Sequence, residues 1–186
     1  MDKFFGNLNA VLGVGFLLAV GLMFAPYFAP ATVWLGVFQW LHVFFGITWI
    51  GLLYYFNFVQ IPTMPSVPAE LKPGVSKYIA PKALFYFRWG AAFTVLTGLI
   101  LAQLYGELHS ALLLKPEARL IGIGMWLALI MAFNVWFVIW PNQKKALGLV
   151  EADADTKAKA AKTAMIFSRI NTLLSIPMLL CMTAYR

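Results

Sequence analysis

Five long apolar runs, separated by polar or proline-rich stretches, organise the chain: about 4–25, 32–60, 88–105, 120–140 and 164–184. Each is near the ~20 residues that a helix needs to cross a hydrocarbon core. None contains an Asp or Glu. The pattern predicts an all-α polytopic membrane helix bundle, a single integral-membrane domain over 1–186 with five transmembrane helices. The first run is too long for a typical signal-peptide core and reads as a retained helix, ended by Pro26 and Pro30. The four prolines of IPTMPSVPAELKPG are expected to exclude a regular helix after the second run, and VSKYIAPKALFYF reads as a segment at headgroup level. Asp155 is the expected cap of a fifth helix that begins outside the bilayer.

Within the second run the pattern is not uniform. At about 100° per residue, His42, Gly46, Trp49, Leu53 and Gln60 share one helix face, with Asn57 beside them. The third run carries Gly90, Thr94 and Gly98 at four-residue spacing, a small-residue ridge that lets a neighbouring helix approach closely.

Composition agrees with the membrane reading: 62% of the 186 residues are hydrophobic and 11% charged, against about 25% charged in soluble domains. The net charge of +7 is unevenly placed. Lys3, Lys72, Lys77, Lys82, Arg88, Lys144, Lys145, Lys157, Lys159, Lys162 and Arg169 fall on one side of a five-span topology; Lys115, Arg119 and Arg186 fall on the other. The positive-inside rule then sets the N-terminus in the cytoplasm and the C-terminus in the periplasm of a bacterial inner membrane. That asymmetry explains the basic balance without nucleic acid. A single cysteine, Cys181, excludes a disulfide framework and any C-x-x-C-H attachment of c-type haem. It reads as a packing residue.

The candidate chemistry lies at His42. It is nine residues beyond Val33, roughly 13 Å along a helix, and therefore near the midplane. An ionisable side chain there is a functional-site hypothesis by default. Asn57, Gln60, Arg88, Asn134, Asn142, Arg169 and Asn171 fall toward the basic side. Two readings of His42 follow. It is an axial ligand of a haem b, with Gly46 leaving room for the ring, Trp49 beside it, Arg88 and Arg169 pairing with the propionates, and a methionine such as Met125 or Met131, or an open position, opposite it. Alternatively it makes a helix–helix hydrogen bond inside the bundle. Asn57 and Asn134 read as interhelical glue, and His109 as a solvated loop residue.

Four stretches carry a family resemblance. LHVFFGITWIGLLYYF (41–56), KYIAPKALFYFRWGAAFTVLTG (77–98), MAFNVWFVIWPNQKKAL (131–147) and NTLLSIPMLL (171–180) resemble, in order, segments of the multi-span N-terminal domain of the membrane-bound urate oxidases. His42, six residues and then Trp49 also resembles, more weakly, the bacterial membrane protoporphyrinogen oxidase family, whose helix histidine is the expected ligand of haem b. The chain departs from the urate oxidases in having fewer spans and no cytochrome c domain. Gly90, Gly122 and Ile170 stand where that family carries an acid and two histidines.

The resemblance implies a haem-b-binding membrane redox protein that passes electrons or supports oxidation of a small molecule. A cofactor-free accessory or assembly subunit is the alternative. Expected partners are the lipid bilayer, the haem, and a homo-oligomer or larger membrane complex.

Overall fold

A computed structural model describes residues 2–23 and 32–184, with backbone only for Asp2 and Lys3. The turn expected at Pro26 and Pro30, the end of the first span at 24–25, and Arg186 lie outside the described residues. Those described are helical, without a strand. After a single turn at Asp2–Phe5 come α1 (Leu8–Met23) and four rods of membrane length: α2 (Val33–Ser66), α3 (Lys72–Leu104), α5 (Pro116–Ala146) and α6 (Ala154–Ala184). The short α4 (Leu108–Leu112) links α3 to α5. Among the described residues four helices are long and apolar enough to cross a bilayer. The first expected span is helical over the 16 residues Leu8–Met23, as far as the described residues run there.

The rods exceed the hydrophobic runs because the chain stays helical through prolines. A proline inside a helix lacks its N–H and clashes with the carbonyl four residues back. Three rods meet this with a π-helical turn: Tyr55–Gln60 before Pro62, Val75–Ile79 before Pro81, and Asn134–Ile139 before Pro141. In each, the residue preceding the proline donates its N–H five residues back: Ile61 to Phe56, Ala80 to Val75, Trp140 to Val135. The wider turn makes room for the ring. Residues 61–66 are therefore helical turns rather than irregular loop. The segment expected at headgroup level, 75–87, forms the first turns of α3, with only 67–71 between the rods. At 33 residues, α3 is about 50 Å long against a core of ~30 Å. Its excess length carries Lys72, Lys77 and Lys82.

Two hairpins make the core. In the first, the small-residue ridge of α3 receives the His42 face of α2. A Cβ on Gly90 would lie 3.2 Å from the backbone nitrogen of Trp49, one on Gly46 would lie 3.9 Å from Thr94 Cγ2, and one on Gly98 would collide with the His42 ring at 2.7 Å. In the second, Cys181 of α6 packs on Gly124 of α5, where an added Cβ would lie 2.9 Å away. Trp49, Leu53, Phe56, Phe87, Met131, Val135 and Ile139 fill the space between hairpins. Outward-facing Ile47, Phe58, Phe137, Leu173, Ile176 and Leu180 are exposed, an apolar belt that suits lipid rather than water.

Polar side chains tie the hairpins. Asn57 donates to Ser168 Oγ at 2.8 Å, and Tyr54 and Ser175 share a bond of 2.9 Å, both joining α2 to α6. Asn134 donates to Asn171 Oδ1 at 2.9 Å, and Asn171 donates to the Met131 carbonyl at 2.9 Å, joining α5 to α6. Asn57 and Asn134 are the glue the sequence suggests. The cap of α6 is Asp153, not Asp155. Its carboxylate accepts the backbone N–H and the hydroxyl of Thr156, each at 2.8 Å, and Asp155 sits in the first turn.

Candidate functional site

His42 lies half-buried at the meeting of four helices. Its Nδ1 is 2.9 Å from the Thr94 carbonyl oxygen. A carbonyl can only accept, so Nδ1 carries the proton and donates it. Thr97 Oγ1 lies 3.4 Å from the same nitrogen and gives its own proton to the Phe93 carbonyl at 2.6 Å. The tautomer is thereby fixed with Nε2 as the free lone pair, and Nε2 has no hydrogen-bond partner among the described residues. The helix–helix hydrogen bond expected of a bland histidine is made. It also performs what metal-binding histidines require of a partner, which is to hold the ring by the opposite nitrogen.

Beside the ring is a cleft of about 30 Å³, lined by His42 of α2; Thr94, Val95, Gly98 and Leu99 of α3; Met125, Ala128 and Leu129 of α5; and Met182 of α6. Apart from His42 and Thr94 these residues are apolar or thioether. Thr94 directs its hydroxyl to the Gly90 carbonyl at 2.7 Å, away from any ligand role.

Nearer the basic end is a second polar layer. Arg88 is buried, and its guanidinium lies 3.4 Å over the Trp140 ring, a stack worth about 2 kcal/mol when desolvated. Its Nη1 is buried without a hydrogen bond, as are Asn57 Oδ1, Gln60 Oε1, Gln143 Oε1, Trp49 Nε1 and Trp136 Nε1. Trp49 is fully buried against Gly90 and forms part of the hairpin seam. Asn142 donates to the Val138 carbonyl of its own helix at 2.8 Å. Arg169 is exposed on α6.

The structure thus brings His42, Gly46 and Trp49 together on the α2–α3 seam and engages Arg88 with an aromatic face. Met131 is buried in the core, not at the cleft, whereas Met125 lines it. Met182 is the residue that sequence reasoning missed. Its signal was topological: with the last helix antiparallel to α5, a methionine near the C-terminal end of α6 returns to the level of Met125.

A haem at His42 meets this geometry unevenly. The donor is right: an imidazole with Nδ1 anchored and Nε2 free. The space is not. Cofactor pockets run to roughly 300–1,000 Å³, and the cleft is an order of magnitude smaller. Gly98, which would have to clear the ring, is filled by the His42 ring itself. A buried macrocycle does not fit between these four helices as they are packed.

Residues 105–185, less than half of the chain, match the family model described as urate oxidase N-terminal. This agrees with the resemblance carried by the 131–147 and 171–180 motifs; His42 lies outside the matched region. No curated protein and no solved structure matches the chain.

Proposed function

We propose that this chain is an integral membrane redox protein related to the membrane urate oxidases. His42 holds its redox centre, which passes electrons or supports oxidation of a small molecule. One observation carries the reading. The spans contain one histidine, its proton is committed to the Thr94 carbonyl, and the residue lines a cleft formed by both hairpins. An imidazole with no further role would leave Nε2 without a partner at the depth of the hydrocarbon, where an unsatisfied polar atom is costly. The basic end faces the cytoplasm by the positive-inside rule, in a bacterial inner membrane.

Were the centre a haem b, His42 would be its axial ligand through Nε2 and the hairpins would have to part to admit it. Arg88 would be the propionate partner nearer to hand than the exposed Arg169. The second reading, a cofactor-free scaffold within a larger complex or homo-oligomer, is favoured by the tightness of the α2–α3 seam. The oxidised and reduced absorption spectra and the metal content of the purified protein decide between them. The redox reading expects a chromophore or bound metal that His42→Ala removes. A colourless, metal-free protein from cells supplied with haem and trace metals supports the scaffold.

A further inference from the structure

From the donor set at the cleft we infer that the His42 site takes a single soft metal ion, copper in its monovalent state, held by His42 Nε2 and the thioethers of Met125 and Met182. The inference rests on the redox reading above and names its centre. Three facts lead to it. The cleft of about 30 Å³ clears the ~10–15 Å³ needed to hold one water, room for an ion rather than for a macrocycle. Its donors are one imidazole and two methionines contributed by α2, α5 and α6, a set brought together only by the tertiary fold. The imidazole is held by the opposite nitrogen through the Thr94 carbonyl at 2.9 Å.

The ligand chemistry selects the ion. Calcium and magnesium require several oxygen ligands, and the only side-chain hydroxyl lining the cleft is bonded to the Gly90 carbonyl. Zinc sites are built from thiolate, imidazole and carboxylate. Cys181, next to Met182, is buried on Gly124 and does not line the cleft. Thioethers select Cu(I), and imidazole binds copper well. Charge sets the oxidation state. All three donors are neutral, so the ion's full charge is buried in a low-dielectric surround. Born energy grows with the square of the charge, so the site favours Cu(I) over Cu(II) and has a high reduction potential.

The test is anaerobic titration of the purified full-length protein in detergent with Cu(I), against a chromophoric Cu(I) chelator. One equivalent per chain is expected to bind, with X-ray absorption showing one nitrogen and two sulfur neighbours. His42→Ala and the volume-conserving double variant Met125→Leu with Met182→Leu remove ligands outright, so each should weaken binding by more than the roughly ten- to hundredfold that loss of an outer-shell partner costs. Met131→Leu, in the core but off the cleft, should bind as wild type does. If Cu(I) binding is absent from the wild type, or unchanged from wild type in the His42 and methionine variants, the assignment is wrong. A Soret band lost in His42→Ala, with no copper uptake, overturns copper while the redox reading stands. Neither pigment nor metal overturns both.

Discussion

At the residue scale, what separates function from structure is whether a buried polar atom has a partner. Asn171 is fully buried and engages both ends of its amide, accepting from Asn134 and donating to the Met131 carbonyl. Hydrogen bonds between membrane helices are worth about 0.6 kcal/mol on average and ~1.7 at most. Asn171→Ala removes two and orphans Asn134, so it should destabilise the folded protein by about 1–3 kcal/mol in a reversible detergent unfolding assay, more than Asn134→Ala does. Arg88 is the opposite case, with a stacked face and an unbonded Nη1. Lysine keeps the charge but not the planar stack. Arg88→Lys should therefore lower stability by about 1–2 kcal/mol and quench less Trp140 fluorescence; unchanged stability would show that the stack contributes nothing.

At the element scale, the rods meet where glycine permits. Gly122 faces the Ala111 backbone of α4, so an added Cβ would strike main chain that no rotamer can relieve. Gly122→Ala should destabilise by about 1–3 kcal/mol or more and appear in thermal unfolding, whereas alanine at Gly51, which meets nothing within 4 Å, should be tolerated. The start of α6 depends on pH. The Thr156 N–H and hydroxyl hold the Asp153 carboxyl below its ordinary value. A depressed carboxylate stabilises above its unfolded value, ~3.9, and that contribution disappears as pH falls through the folded one. The protection factors of the Thr156 and Lys157 amides, exchange corrected for its intrinsic pH dependence, should fall on acidification below about pH 4, and should already be low, and constant over that range, in Asp153→Ala.

The same scale shows what the sequence carried. The ridge of Gly90, Thr94 and Gly98 and the face of His42, Gly46 and Trp49 were each legible, because helical period determines which residues share a side. That the two would meet follows from neither alone. The helix ends differ from the expected ones because Pro62 and Pro141 read locally as breakers and 75–87 as a headgroup segment. The π-helical turns before Pro62, Pro81 and Pro141 let the rods continue. Asp155 was preferred to Asp153 as cap since both are acidic and two residues apart; the hydroxyl of Thr156 decides for Asp153.

At the scale of the whole molecule, two hairpins enclose one titratable ring between them. Hydrophobicity built the four rods, and the uneven lysines set their direction. The ring's tautomer came from a carbonyl 52 residues away in the chain, and the cleft's lining came from four helices. Neither is visible in a one-dimensional pattern, and this is why the sequence alone leaves the ligand of His42 open. The chain has only two histidines, His42 and His109, so nitrogen NMR of protein labelled at histidine alone reads the site directly. The account predicts that the half-buried ring carries its proton on Nδ1 with a bare Nε2, and that metal addition moves that Nε2 resonance while the exposed His109 stays in place. A proton found on Nε2, or an Nε2 resonance that no metal moves, would contradict it.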